Sequence, residues 1–183
     1  MVSITQGYDR ECKDSLGGVK TIWLFPWAKY SRKLIQRQGI NLVSFPSNLI
    51  YKFDGLFDSS FSESDSFDAN GQKFDQTLNI NFSKIGDTYY FKVLRDGLLR
   101  AIVEDNNSKL WLLGQDNGIR ANQYTKQTGS DKSQLNGYNL TFEGSERREA
   151  PLLSSLDIVT GTGAKFDSTI ITWDSTLITF DSL

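Results

Sequence analysis

Several segments of the chain alternate between apolar and polar residues, which is the pattern of a half-buried β-strand. Across 76–83, Gln, Leu, Ile and Phe occupy the even positions, while Thr, Asn, Asn and Ser occupy the odd ones. The segment 137–143 repeats the pattern with apolar Tyr138, Leu140 and Phe142. Two more apolar runs, at 98–104 and 109–113, flank four turn-forming residues and predict a β-hairpin. The sequence therefore predicts a mainly β protein.

One segment departs from this pattern and predicts an α-helix at about 87–97. Asp87 is a suitable N-cap residue, and Gly97 is a suitable C-terminal stop. Tyr90, Val93 and Leu94 follow the i, i+3, i+4 spacing of one helix face. With 183 residues, the chain has the size of one domain, so we expect a single domain over 1–183. The expected fold is a β-sandwich or barrel with one flanking α-helix.

Two further segments suggest contacts with other chains. Residues 54–73 are acidic, are interleaved with phenylalanines, and predict a long arm loop, longer than compact domains usually contain. Residues 166–183 carry a seven-residue repeat, FDSTIIT, WDSTLIT and FDSL. An odd period reverses the face of a strand at each repeat, so we expect two short strands that form an edge hairpin.

A run of four cations without an intervening acid lies between Lys29 and Arg37. It is interpreted either as a solvated loop or short helix, or as a contact surface for an acidic partner. Both interpretations remain open at this point. The predicted subunit interface combines this cationic segment with the acidic arm and the C-terminal repeat, through Lys29, Arg32, Lys33, Arg37, Phe57, Asp58, Phe61, Asp65, Phe67, Trp173 and Phe180.

Composition argues against most kinds of catalysis. The chain has no histidine and one cysteine, Cys12, which removes His-based triads, His metal sites and Cys-based zinc clusters. The glycine-bearing stretch LWLLGQDNGIR contains neither phosphate-loop motif, so we predict a turn at 116–118. We therefore expect no enzyme activity, no cofactor and no metal site. A net charge of −2 also lacks the basic signature of a nucleic-acid binder.

Two rival functions stay open. A β-sandwich could stack sugars on tryptophans, and the candidates are Trp23, Trp27, Trp111 and Trp173. A glycosidase or lysin could use paired carboxylates, which could be drawn from Glu104, Asp105 and Asp116. No apolar run reaches the length of a membrane span, and the first residues carry no signal-peptide pattern. We therefore expect folding in a cytosol and no membrane partner.

Three segments together resemble a structural protein of tailed bacteriophages that infect Bacteroidetes, including crAss-like phages. They are SITQGYDRECKDSLGGVKTIWL, LWLLGQDNGIRA and TGSDKSQLNGYNLTFEGSERREAP, which together cover about a third of the chain. The resemblance is to tail tube or tail ring proteins. The acidic arm and the C-terminal repeat lie outside it.

The resemblance implies a virion subunit that is made in the bacterial cytoplasm and closes into a ring or tube. Its partners would be copies of itself, neighbouring tail or connector proteins, and DNA that passes through the lumen without sequence recognition. A head-to-tail contact would place the acidic arm of one subunit against a neighbour, with the cationic segment as the expected surface. A head–tail connector or neck ring protein is the alternative within the same class.

Overall fold

The computed structural model describes residues 16–54, 58–68, 71–83, 88–130 and 135–161. Strands dominate these ranges, which confirms the predicted mainly β fold. The strands are β1 (Val19–Pro26), β2 (Gln36–Gln38), β3 (Asn41–Ser44), β4 (Tyr51–Phe53), β5 (Ser60–Asp68), β6 (Gly71–Ser83), β7 (Leu98–Asp105), β8 (Leu110–Leu113), β9 (Ile119–Gln127), β10 (Gly137–Glu146) and β11 (Leu152–Leu153). The helices are α1 (Thr88–Asp96) and α2 (Asp157–Thr160), and a short 3₁₀ turn spans Arg32–Leu34.

The described strands form one large sheet that branches at β7. One branch runs β7-β8-β11-β3-β2, and the other runs β7-β9-β10-β6-β5. On its other side β7 pairs with β1, which in turn pairs with β4. Pairing is antiparallel except between β3 and β11. This arrangement fits a β-sandwich with a flanking helix.

Strand β1 is buried on both faces, which explains its continuous apolar run. Ile22 and Leu24 enter one hydrophobic core, which also contains the inward side chains of β6 and β10. Trp23 and Phe25 enter a second core on the opposite face, together with residues of β3 and α2. A strand between two cores cannot alternate apolar and polar residues, because both of its faces exclude water. The alternating strands β6 and β10 instead bury one face, as their pattern predicts.

Helix α1 lies close to the predicted position, and of its predicted face Leu94 is buried whereas Val93 is not. Phe91 and Leu94 are buried, whereas Val93 is 55% exposed. Phe91 stacks on Tyr138 of β10 with 4.0 Å between ring centroids, so the aromatic side chain fixes the helix rotation. The amide of Gly97 donates to the carbonyl of Val93, which confirms the predicted helix end. No helix in the described ranges is long and apolar enough to cross a lipid bilayer.

The predicted long arm loop is a β-hairpin in the described part of 54–73. Residues 60–68 form β5, which pairs with β6 from Ser60–Asn79 to Asp68–Gly71. The loop prediction was wrong because it relied on acidic composition, whereas Phe61 and Glu63 occupy alternate positions that turn inward. Residues 55–57 and the predicted C-terminal hairpin at 166–183 lie outside the described residues.

Candidate functional site

A tight glycine loop joins β8 to β9 and confirms the turn predicted there. Gly114 and Gly118 have φ angles of +67° and +79°, which residues other than glycine rarely adopt. The amide of Gly118 donates to the carbonyl of Gly114 at 3.2 Å. A Cβ atom on Gly114 would lie 2.8 Å from the backbone of Gly118. The loop therefore needs glycine for conformation and for space.

The amides of this loop do bind an anion, and the anion is a carboxylate of the chain itself. Glu146, at the end of β10, is 3% exposed. Its carboxylate accepts from the amides of Asn117 at 2.8 Å and Asp116 at 3.1 Å. Burial raises the pKa of Glu146, and the charge of Asp116 raises it further, while these amides act in the opposite direction. These loop amides are therefore occupied from within the fold.

A buried arginine donates a hydrogen bond to the other side of the loop. Arg100 of β7 is 1% exposed; its Nε donates to the carbonyl of Gln115 at 3.1 Å and its Nη2 to the carbonyl of Ala28 at 2.7 Å. Burial lowers the pKa of this guanidinium. Three aromatic rings lie within 4.8–5.6 Å of it, those of Trp27, Tyr30 and Phe45. Arg100 thus holds the chain after β1 against the glycine loop.

The outer wall of the loop borders a cavity of about 280 Å³, here called the arginine cleft. Its lining residues are Arg32, Ile35, Gln115, Asp116, Arg147 and Arg148. Arg37 lies beside it, with Nε 2.8 Å from Gln115 Oε1 and Nη1 2.9 Å from the carbonyl of Glu149. Burial, and then the like charge of Arg148, lowers the pKa of Arg37. Several cations are therefore gathered at one place in a chain whose net charge is −2.

The predicted cationic segment divides into two parts. Lys29, Arg32 and Lys33 have exposed side chains, and Arg32 also lines the arginine cleft. Arg37 is half-buried and is hydrogen-bonded within its own subunit. The short 3₁₀ turn over Arg32–Leu34 agrees with the solvated-helix interpretation, while the cleft keeps the contact-surface interpretation open.

The predicted arm residues are also divided. Phe61 packs against the first core, with its ring 6.4 Å from that of Trp111. Phe67 is 76% exposed near the hairpin tip, and Asp65 is exposed while accepting from Gln72. Asp58 is exposed at the base of the hairpin. The structure thus brings Asp65 and Phe67 together at the surface and places Phe61 inside. Phe57, Trp173 and Phe180 lie outside the described residues.

The rival functions find little support in the described residues. Trp23 is 4% exposed, and the half-buried rings of Trp27 and Trp111 lie near Arg100 and Phe61, respectively. Trp173 lies outside the described residues. The candidate carboxylates have structural partners: Glu104 pairs with Lys20, Asp105 accepts two turn amides, and Asp116 accepts from Gln115. No group of acidic or sulfur side chains in the described ranges has the arrangement of a metal site.

Sequence reasoning missed the residues that build this site. Arg100 interrupts the apolar run LLRAIV, and an arginine inside a buried strand was a detectable signal. Glu146, Arg147 and Arg148 follow one another at the end of a predicted strand. Their convergence with Arg32 depends on tertiary structure, because 115 residues separate Arg32 from Arg147.

The fold and the site together define a mainly β protein with an arginine-lined cleft. The cleft lies next to a glycine loop whose amides bind the carboxylate of Glu146 of the same chain. No family model, no curated protein and no solved structure matches this chain. The resemblance to phage tail proteins therefore stays a prediction.

Proposed function

We propose that this protein is a self-assembling structural subunit of the kind that forms phage tail rings or tubes. The observation that carries the proposal is the edge strand β5. It has nine residues and lies at the end of its branch, with β6 on one side and no strand of the described residues on the other. The other strands that end the described sheet, β2 and β4, have three residues each. A long open edge is the surface on which a second chain adds a strand.

The hairpin is fixed at its base, which suits a contact that must keep one geometry. Glu63 of β5 accepts from Gln76 Nε2 and from the amide of Ala150, both at 2.8 Å. Gln76 Oε1 in turn accepts from the amide of Gly114 at 2.9 Å. Such side chain–backbone bonds join the hairpin to the glycine loop and to the segment after β10. A preordered arm loses less entropy on binding than a flexible loop.

The tip of the hairpin projects beyond its neighbour. Strand β10 pairs with β6 only as far as Glu146 opposite Phe74, while the hairpin continues to Asp68 opposite Gly71. Phe67 is exposed on this projection and supplies an apolar anchor of the type that concentrates binding energy at interfaces. Acidic Asp65 is beside it.

Complementary charge gives this tip a partner surface on a neighbouring copy. Lys29, Arg32 and Lys33 are exposed, and opposite charges set the register and the association rate of a contact. Repeated head-to-tail contacts close into a ring when the rotation permits. In the proposed ring or tube the lumen passes DNA without sequence recognition, and a mildly acidic protein avoids tight binding to the phosphates.

The test compares matched lysine substitutions by light scattering after size exclusion and by negative-stain electron microscopy. Ser64→Lys adds an exposed charge to edge strand β5, whereas Thr77→Lys adds the same charge at a partly exposed position of β6, which pairs with β5 on one side and with β10 on the other. We expect wild type and Thr77→Lys to form rings or tubes and Ser64→Lys to remain small, because an edge lysine blocks strand addition. Phe67→Ser should weaken assembly in the same direction. A wild-type protein that stays monomeric at high concentration contradicts the proposal.

A further inference from the structure

We infer that the arginine cleft is a binding site for a small oxyanion with at least two negative charges, of the phosphate or carboxylate class. The inference does not depend on assembly. It starts from the convergence of Arg32, Arg147 and Arg148 on one cavity. Arginine presents a planar fork of donors that matches two oxygens of a phosphate or carboxylate.

The lining of the cleft carries more cations than acids. None of its arginines belongs to an ion pair in the described ranges, where the pairs are Lys20–Glu104, Lys52–Asp54, Lys73–Asp75 and Arg95–Asp96. Asp116 is the one carboxylate among the lining residues, and it accepts from Gln115 Nε2 at 3.0 Å. The carboxylate of Glu146 is buried and directed to the loop amides. Three arginines and one acid therefore line the cleft, while Glu149, next to Arg148 in the chain, lies outside the lining.

The floor of the cleft is held in place before any ligand binds. Gln115 is 4% exposed; its Oε1 accepts from Arg37, and its backbone carbonyl accepts from Arg100. Arg37 is also bonded to the carbonyl of Glu149, next to Arg148. Arg147 and Arg148 directly follow the last residue of β10, so their backbone starts from a fixed strand. A prearranged wall reduces the ordering cost of binding.

The size of the cleft limits the ligand. Its volume of about 280 Å³ is slightly below the roughly 300–1,000 Å³ of pockets for drug-sized molecules. Pyrophosphate, or a pair of neighbouring carboxylates, matches both this volume and the excess positive charge. The oxyanion can come from two sources: a free anion, or the acidic tip of the hairpin of a second copy, where Asp65 is exposed.

The first test is calorimetric titration of pyrophosphate into the monomer fraction at low salt. We expect saturable binding by wild type and an affinity about tenfold lower, or about 1.4 kcal/mol, in each of Arg147→Gln and Arg148→Gln, because each variant loses a charged donor to the oxyanion. Arg95→Gln is the control, since Arg95 is exposed on α1 and outside the cleft. Absence of saturable binding, or equal losses in the control and the cleft variants, overturns the inference.

A second measurement distinguishes the source of the anion. Self-association is measured with and without pyrophosphate, in wild type and in Asp65→Asn. If the neighbour's acids occupy the cleft, pyrophosphate and Asp65→Asn both weaken association; if neither does, the ligand is a free anion. Either result is compatible with an oxyanion site in the cleft. Whether the site exists is decided by the calorimetric titrations of Arg147→Gln and Arg148→Gln. A protein that binds pyrophosphate but never assembles would refute only the proposed structural role.

Discussion

Replacement of Gly114 by alanine tests whether the glycine loop requires space as well as an unusual backbone conformation. Gly39, in the turn between β2 and β3, is a matched reference because its φ of +63° is close to the +67° of Gly114. A Cβ on Gly39 meets no atom within 4 Å, whereas a Cβ on Gly114 would lie 2.8 Å from backbone atoms of Gly118 and Ile119. The two substitutions thus share the conformational penalty and differ in packing.

The expected magnitudes follow from these two contributions. A left-handed conformation costs alanine about 1–2 kcal/mol, which applies to both variants. Overpacking against backbone that cannot move aside adds about 1–3 kcal/mol to Gly114→Ala alone. The entropy that alanine removes from the unfolded chain is the same in both and cancels in the comparison. Gly114→Ala should therefore be less stable than Gly39→Ala by about 1–3 kcal/mol.

Urea unfolding followed by tryptophan fluorescence measures the difference directly. In a protein of this size, the same difference corresponds to a melting temperature roughly 2–12 °C lower for Gly114→Ala. Equal destabilisation of the two variants would refute the reasoning, because it would mean that the loop relaxes around a Cβ. A wild-type-like Gly39→Ala with a strongly destabilised Gly114→Ala would mean that the conformational penalty was overestimated.

Three further predictions concern the buried groups and the turns. Burial raises the pKa of Glu146, so its contribution to the free energy of unfolding is full below the ordinary pKa of 4.5 and declines as the pH rises through the folded pKa. The stability of wild type relative to Glu146→Gln should therefore fall as the pH rises above 4.5 in urea titrations, and a rise contradicts the reasoning. Arg100→Met removes the donor to the buried carbonyl of Gln115 and to the carbonyl of Ala28, so we expect a loss of about 1–3 kcal/mol in urea unfolding, and unchanged stability would exclude this role. Asp105→Ala removes the acceptor of two turn amides and should cost about 1–2 kcal/mol in thermal unfolding; loss of a glycan-hydrolysing activity of the wild type would instead favour the enzyme hypothesis.

Local periodicity was sufficient to predict the strands that bury one face. In β6 and β10 each inward residue lies two positions from the next, and Leu78, Ile80, Leu140 and Phe142 are fully buried. Periodicity could not assign the buried faces of β1, because both faces are covered and the alternation disappears. It also placed Val93 on the buried face of α1 in the position that Phe91 takes, because the choice between them depends on a ring in β10.

The β5–β6 hairpin shows why amino-acid composition wrongly predicted a loop, although the alternation of exposed and inward residues is that of a strand. Serines and acids suggested a solvated loop, yet residues 60–64 alternate exposed serines with the inward pair Phe61 and Glu63. Glu63 is retained in a strand because its carboxylate has two donors, one in β6 and one after β10. Those donors are 13 and 87 residues away, so no local window contains the reason for the strand.

The glycine loop explains why an anion site could be present in a chain that lacks phosphate-binding motifs. Those motifs detect loops whose amides face an external ligand. Here the amides of Asp116 and Asn117 are directed to Glu146, so the loop contributes only its outer wall to the cleft. Recognition of an oxyanion must then come from side chains, and Arg32, Arg147 and Arg148 are brought together by the fold rather than by spacing in the sequence. Because Glu146 directly precedes Arg147, the contact that fills the loop also fixes the start of the segment that carries two of the three arginines.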